Sequence, residues 1–245
     1  MKLYIDIGNS NIAIGKGNGV IEETYRYRTD YKSSDEYYAL LKHLFTDVDD
    51  AAIASVVPQV NDAFKTFMLR YFDIQPLFVS PGIKTGVKVK TDYPQEVGAD
   101  LVAAAAGAMA HYGKEAIIVD LGTATTFTYV KNNEIKGVSI TIGLDASKQA
   151  LVDSTSQLMQ FEFSRPKSVL GTNTIDALNA GFLYGHAYQV IGMVDAIKAS
   201  YGGDPNVIVT GGASRYLSGF LPRTYKHDEL IVLKGLATIY ERNRP

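Results

Sequence analysis

Two short segments of the sequence place an acid, a glycine and hydroxyl or amide side chains directly after a hydrophobic run. The first is DIGNSN at residues 6–11, and the second is DLGTATT at residues 120–126. Glycine lets backbone N–H groups approach a phosphate closely, and Ser, Thr and Asn add further hydrogen-bond donors. Either segment alone is more typical of an ordinary turn. Their occurrence at corresponding places in the two halves of the chain favours a pair of phosphate-binding loops.

The acid in each segment is a candidate cation ligand. Magnesium prefers a carboxylate while it keeps several of its waters, so we expect Asp6 to hold that ion, usually through water. We expect Asp120 to hold a second cation. The residues expected to contact the phosphates of a nucleotide are Asp6, Ile7, Gly8, Asn9, Ser10, Asn11, Gly122 and Thr123.

A third acid, Asp100, stands where a run of small apolar residues begins, in EVGADLVAAAAGAMAHYG at residues 96–113. At the start of a helix the dipole would stabilise this carboxylate by about 0.3–1 kcal/mol, which is sufficient for a purely structural role as a cap. The same dipole keeps the acid ionised and able to accept a hydrogen bond from an incoming hydroxyl. Phosphoryl transfer depends mainly on alignment and charge neutralisation. Because both candidate phosphate loops occur in the same chain, we interpret Asp100 as a general base.

The composition narrows the class of protein. The 245 residues are 46% hydrophobic and 20% charged, with a formal net charge of −2. This charge provides no field that would attract nucleic acid or anionic lipid, so neither is an expected partner. There is no cysteine, which excludes a disulfide framework and fits a reducing compartment. The sequence starts at once as a strand, and its longest apolar run is about half of a membrane span. We therefore expect a cytoplasmic protein.

Hydrophobic periodicity gives the order of elements. Strands are predicted around residues 3–7, 11–17, 24–29 and 51–57, with helices after Ser33 and around residues 60–71 and 100–111. The pattern then restarts with a strand at 116–121, and helices follow at 145–153, 174–199, from Ala213 and at 229–242. We expect an α/β protein of two similar domains, residues 1–113 and 114–245, with ATP in the cleft between them. This is the architecture of the ribonuclease-H-like domains of the actin-like ATPase superfamily.

Beyond these loops, the chain resembles the type III pantothenate kinase family over nearly its whole length. DLGTATT and EVGAD at this order and spacing are the most specific matches. The other matching segments are DIGNSN, RTD (28–30), SVVP (55–58), PGIKTG (81–86), GTNT (171–174), AGFLYG (180–185) and TGG (210–212). The resemblance implies phosphorylation of pantothenate by ATP at the start of coenzyme A synthesis. It also implies dimers and a monovalent cation, potassium or ammonium, in addition to magnesium.

The resemblance further implies roles for individual residues. Asp100 would be the general base, Asp120 a ligand of the monovalent cation and Thr123 an ATP contact. The acceptor would be contacted by Tyr93, Gly98, Ala99, Asp100, Leu101 and Thr174. The helix region 174–199 would form the interface of a homodimer, which the small residues Ala177, Gly181 and Gly185, spaced four apart, also suit.

The sequence departs from the family at residues expected to lie near the acceptor substrate. The family has Arg, Asn and Tyr where this chain has Leu101, Ala104 and Thr91, and Tyr93 is only an approximate substitute for the tyrosine. An arginine fork is the natural partner of the pantothenate carboxylate, and leucine cannot replace it. Two alternatives to a pantothenate kinase therefore stay open. One is an ATP-binding paralogue with weak or no activity that acts as a regulator, and the other is a kinase for a related neutral alcohol.

Overall fold

The computed structural model describes residues 1–155, 158 and 160–244, which form two compact units. The first unit contains Met1–Tyr112, Asn132–Ile135 and the chain from Leu230 onward, and the second contains Gly113–Lys131 and Lys136–Glu229. A change of unit coincides with the predicted boundary near Gly113. The chain from Leu230 onward, expected in the second half, packs instead with the first. The division into two lobes of similar fold stays a prediction.

The sheet of the first unit has five strands in the order β3-β2-β1-β4-β5. They are β1 (Lys2–Ile7), β2 (Asn11–Gly17), β3 (Ile21–Arg28), β4 (Asp50–Ser55) and β5 (Leu77–Phe78). The first three strands pair antiparallel, whereas β4 pairs parallel with both β1 and β5. The carboxyl ends of β1 and β4 therefore lie at the same edge of this sheet.

Helices cover this sheet. They are α1 (Ser34–Leu41), α2 (Pro58–Phe72), α3 (Ala99–His111) and α7 (Ile231–Asn243), and short 3-10 turns occur at Lys42–Phe45 and Pro94–Glu96. The predicted start of a helix after Ser33 is confirmed, and a capping box forms there. The Ser33 side chain accepts a bond from the Glu36 N–H, and the Glu36 carboxylate accepts one from the Ser33 N–H. A short strand, β6 (Lys88–Val89), pairs in parallel with residues 134–135.

A backbone-to-backbone contact joins α3 to α7. A β-carbon on Gly107 would collide with the carbonyl oxygen of Ile231, and one on Gly235 would collide with the carbonyl oxygen of Ala103. The two helices can approach this closely only because both positions lack a side chain. The end of α7 is held by Asp50 at the start of β4, which accepts hydrogen bonds from the Tyr240 hydroxyl at 2.9 Å and from Arg244 at 2.7 Å. This contact explains why the C-terminal helix belongs to the first unit.

The strands of the second unit follow the order β11-β10-β7-β8-β9. Their bounds are β7 (Glu115–Leu121), β8 (Ala124–Lys131), β9 (Glu134–Ile142), β10 (Asn206–Thr210) and β11 (Lys226–His227). The helices are α4 (Leu144–Ser154), α5 (Thr174–Tyr201) and α6 (Ser214–Leu217). The strand β10 pairs in parallel with β7, so Thr210 lies opposite Asp120 at their carboxyl ends. The expected α/β class is confirmed. Within the described part of the chain, no helix has the length and apolar character needed to cross a bilayer.

The close approach of α3 and α7 gives a stability prediction. Gly235→Ala should lower the free energy of unfolding by about 2 kcal/mol, because the added methyl group meets backbone that cannot move aside. Thr66→Ala is the control, since Thr66 is an exposed position within α2, away from the contact between α3 and α7 and from α5. That control should stabilise by about 0.5 kcal/mol through helix propensity. Urea denaturation measures both. An unchanged stability in Gly235→Ala would contradict the contact.

Candidate functional site

The first candidate loop follows β1 and is shaped by Thr29. Asp6 lies at the end of β1, and the Gly8 N–H donates to the carbonyl of Asn11 at 3.0 Å to close the turn. The Thr29 hydroxyl donates to the Gly8 carbonyl at 2.6 Å, and its N–H donates to the Ser10 carbonyl at 3.1 Å. Asn9 and Ser10 are exposed at the tip. The loop is therefore held open to solvent by a residue from the end of β3.

The start of α3 lies beside the end of β4. The Val56 N–H, just after β4, donates to the carbonyl of Ile7 at 3.0 Å. A β-carbon on Gly98, the residue that caps α3, would lie 3.3 Å from Val56 Cγ1. These contacts form a continuous path from the first loop through Val56 to Gly98. Asp100 and the first loop therefore share one edge of the first unit.

Asp100 is the second residue of α3 and is not its cap, since that position is Gly98. Its Oδ1 accepts a hydrogen bond from the Leu101 N–H at 2.8 Å. A side chain at position 98 would displace the same carboxylate from this position, so glycine there leaves room for it. Burial raises the pKa of Asp100, although the backbone N–H bonds oppose this shift. Desolvation therefore opposes the expected stabilisation of the charged form at the start of the helix.

The other residues that were expected to contact the acceptor substrate belong partly to the first unit and partly to the second. Tyr93 precedes the Pro94 turn and is 61% exposed, whereas Leu101 is buried at 9% exposure. Gly98 and Ala99 form the start of α3, and these four residues belong to the first unit. Thr174 is the exposed first residue of α5 and belongs to the second. In the first unit, therefore, Leu101 supplies apolar surface where an arginine would supply charge.

The second candidate loop follows β7, and two glycines pack against it. A β-carbon on Gly211 would collide with the carboxylate of Asp120, and the backbone of Gly211 has a φ of +88° that favours glycine. A β-carbon on Gly143 would collide with the carbonyl oxygens of Gly122 and Thr123. The Gly143 N–H also donates to the Thr123 carbonyl at 3.1 Å. Because Gly143 caps α4, the positive end of that helix lies at the second loop, which suits an anion.

A buried hydrogen bond holds the strand that follows this loop. Thr125, the second residue of β8, is fully buried, and its hydroxyl lies 2.8 Å from Nε2 of His186 on α5. Burial lowers the pKa of His186, so the ring is held neutral. A neutral imidazole can accept the hydroxyl proton or donate its own, according to the tautomer. The pair fixes the strand immediately after Thr123 to the long helix.

No sequence pattern indicated a role for Thr29 or His186. Thr29 belongs to the matching RTD segment, but its type alone does not show that it bonds to a loop twenty residues away. His186 is one of four scattered histidines, and no His-x-x-x-His spacing marks it as a ligand. Across the described residues, no group of three or more His, Cys, Asp or Glu side chains could hold a metal by itself.

Solved structures show the fold class. A conserved protein of the Baf family from Campylobacter jejuni matches at 20% identity with a TM-score of 0.63, covering 98% of this chain and 97% of its own. A ROK family glucokinase from Streptomyces griseus, solved with glucose and AMPPNP, matches at 15% identity with a TM-score of 0.52 and 99% coverage of both chains. At these identities the likeness is one of fold, which is that of sugar kinases.

The sequence comparisons are more specific. The family model for type III pantothenate kinase matches residues 2–196. A type III pantothenate kinase from Brevibacillus brevis is 41% identical over 254 residues, covering 100% of both chains. The chain belongs to the type III pantothenate kinase family. The resemblance that the motifs indicated is confirmed.

The raised pKa of Asp100 predicts an unusual pH dependence of stability. Because the native pKa lies above that of the unfolded chain, the native state binds more protons, and wild-type stability falls as pH rises through the native pKa. Asn cannot ionise, so Asp100→Asn should be more stable than wild type at neutral pH. The gain should disappear below about pH 4, where the acid is protonated in both states. Urea denaturation at several pH values measures it.

Asp92→Asn is the control, since it removes an exposed acid eight residues before Asp100. It should not show this gain. A variant at position 100 that is less stable than wild type at neutral pH would contradict the inferred burial cost.

Proposed function

We propose that this protein transfers the γ-phosphoryl group of ATP to the primary hydroxyl of pantothenate, forming 4′-phosphopantothenate in the first step of coenzyme A synthesis. The observation that carries the proposal is the half-buried Asp100 carboxylate at the start of α3, on the same edge of the first unit as the loop after β1. Family membership supports the choice of substrate.

The two loops are proposed to hold the phosphates. In the first unit, Asn9 and Ser10 are exposed at a tip that Thr29 supports. In the second unit, Gly122 and Thr123 lie against the capping residue of α4. Ile7, Gly8 and Asn11 complete the first loop. Backbone N–H groups in such loops neutralise the charge that spreads over the phosphoryl oxygens in the transition state.

Asp100 is proposed to act on the acceptor. Its carboxylate accepts the proton of the pantothenate hydroxyl as that oxygen bonds to the γ-phosphorus and the bond to the leaving ADP breaks. Burial makes the carboxylate a stronger base, since a raised pKa brings its proton affinity closer to that of the hydroxyl it activates. Gly98 leaves room for the carboxylate, and Ala99 places no bulk beside it. Activity should rise with pH as Asp100 ionises.

The proposed metal requirements follow from the carboxylate ligands that the two loops offer. Asp6 offers one carboxylate beside the first loop, and magnesium is commonly bound by one or two carboxylates together with substrate phosphates and water. Asp120, against Gly211, would hold potassium or ammonium. When bound, these cations neutralise charge on the triphosphate. Because no three-ligand cluster occurs in the described chain, the phosphates themselves would complete the magnesium site.

A kinase for a neutral alcohol is the second candidate, and Leu101 favours it. This side chain is buried and apolar directly after the proposed base, so it cannot pair with a carboxylate. Tyr93 and Thr174 can donate hydrogen bonds, which a carboxylate and a neutral acceptor both accept. A test of the function therefore includes neutral alcohols as acceptors beside pantothenate.

We propose a homodimer through α5 and a cytoplasmic location. On α5, Ile175 and Tyr188 are 48% and 64% exposed, and no atom lies within 4 Å of a β-carbon placed on Gly181 or Gly185. An exposed helix face with large apolar and small residues suits close packing against a second copy. The reaction consumes ATP, which is available in the cytoplasm.

The direct test is phosphorylation by purified protein with ATP, magnesium and potassium, read by the mass of the product. Pantothenate should yield phosphopantothenate, and Asp100→Asn should lower kcat by about a hundredfold to ten-thousandfold. Asp92→Asn is the matched control and should keep full activity. Product only from a panel of neutral alcohols would support the second candidate. ATP binding without any product would support an inactive paralogue.

The Thr29 contact gives a separate prediction. Thr29→Val removes the hydroxyl bond to the Gly8 carbonyl at constant volume, and the Michaelis constant for ATP should rise about fivefold, as expected for one lost hydrogen bond. Thr29→Ser keeps the donor and should behave as wild type. Steady-state kinetics at saturating pantothenate measure both. Equal kinetics in the Val and Ser variants would show that this bond does not support phosphate binding.

A further inference from the structure

A row of three side chains crosses the sheet of the first unit at Asp6. In the pairing of β1 with β2, Asp6 lies opposite Ala13. In the pairing of β2 with β3, Ala13 lies opposite Arg26. Residues directly opposite each other in antiparallel strands place their side chains on the same face of a sheet. The carboxylate and the guanidinium therefore share one row of one face, and the small side chain of Ala13 lies between them.

The neighbours of Arg26 in β3 show which face this is. Tyr25 and Tyr27 pack against the core cluster that includes residues of α1 and α2. Successive side chains of a strand lie on opposite faces, so Arg26 lies on the face away from that cluster. On the Asp6 face of β1, Tyr4 makes an edge contact with Tyr240 of α7, at 6.3 Å between ring centres. The row is therefore on the face that carries α7 and not in the core beneath α1 and α2.

The charge of Arg26 is not neutralised by the protein. Its side chain is exposed, and so is that of Arg28, two residues later on the same face of the strand. In the part of the chain that the structure describes, neither arginine forms an ion pair. The strand β3 is at the edge of its sheet. Two like charges on one face of an edge strand repel each other, and an anion beside them would remove that repulsion.

The position of Arg26 suits an anion that lies over Asp6. Neighbouring strands are about 4.8 Å apart, so the backbones at Asp6 and Arg26, two strands apart, are separated by about 10 Å. The long arginine side chain extends over part of this distance, and Ala13 places little bulk in its way. The planar guanidinium can donate two hydrogen bonds to one phosphate group. A phosphate bound at the first loop and Asp6 would thus come within reach of Arg26.

The first loop itself brings no positive charge to a phosphate. Its proposed donor-binding residues, 6–11, contain one acid and otherwise neutral side chains. Backbone N–H groups and the hydroxyl and amide side chains supply only partial charges there. A triphosphate in this loop would meet the negative charge of Asp6 without a protein cation among those six residues. Arg26 is the residue that the sheet pairing places in the same row as that acid.

We propose that Arg26 is a further ligand of the phosphoryl donor and pairs with a phosphate held at Asp6 and the first loop. The inference rests on the proposed function, since it assumes a donor with adjacent phosphates in that place. It assigns to β3 a direct role in donor binding, in addition to the support that Thr29 gives to the loop.

The test measures magnesium-dependent binding of ADP and of inorganic pyrophosphate by calorimetry, without pantothenate. Arg26→Gln should weaken the binding of both ligands about tenfold to a hundredfold, as expected for the loss of a charged hydrogen-bond donor. Arg26→Lys keeps the charge without the planar fork and should lie between the Gln variant and wild type. Arg70→Gln is the matched control, because it removes one charge from an exposed arginine on α2. This control should bind both ligands as wild type.

Wild-type affinity for both ligands in Arg26→Gln would overturn the proposal. A loss confined to ADP would also overturn it, because a phosphate contact must act on pyrophosphate as well. An equal loss in Arg70→Gln would show an effect of net charge alone, and no recovery in Arg26→Lys would show an effect of packing. Both results count against the proposal. Failure of the function itself is seen separately, as absence of phosphopantothenate from the wild type, while the binding results still decide the role of Arg26.

Discussion

The glycine contact between α3 and α7 is the constraint on which the first half of the site depends. Gly107 lies seven residues beyond Asp100, about two helical turns away. Because α7 also packs against β1 and β4, it fixes the direction of α3 relative to the sheet. The start of α3 is thereby held against Val56, and the Asp100 carboxylate is half-buried there. A packing contact between two backbones thus determines both the position of an acid and its affinity for a proton.

Each candidate phosphate loop is held by residues that are distant in the sequence. Thr29 holds the first, and Gly143, Gly211 and His186 hold the second, the last through Thr125. These contacts act on backbone carbonyl groups, on the Asp120 carboxylate or on the adjoining strand. They limit the number of conformations of a loop before a nucleotide arrives, so less conformational entropy is lost on binding. Asn9, Ser10 and Thr123 are exposed in these loops, and the rigidity comes from their neighbours.

The sequence predicted the elements well where periodicity was clear, as in β1, β7 and the 28-residue α5. The short β11 was missed because two residues carry no period. Asp100 and both loops could be predicted because the acid–glycine segments recur at corresponding places in the two halves of the chain. Either segment alone is typical of an ordinary turn. The supporting role of His186 could not be predicted, since a buried histidine and a surface histidine look alike in a sequence. The unit to which α7 belongs depends on Gly107 meeting the backbone of Ile231, across more than a hundred residues.

The return of α7 to the first unit has a consequence for synthesis of the chain. When residues 1–112 have left the ribosome, the strands β1 to β5 are present, but the helix that covers α3 has not yet been made. The alanine-rich side of α3 then has no partner. The second unit, which is continuous apart from residues 132–135, is completed earlier in translation. Folding from the amino terminus, one domain after another, therefore cannot apply to this chain, and the unit that contains Asp100 is the last to become complete.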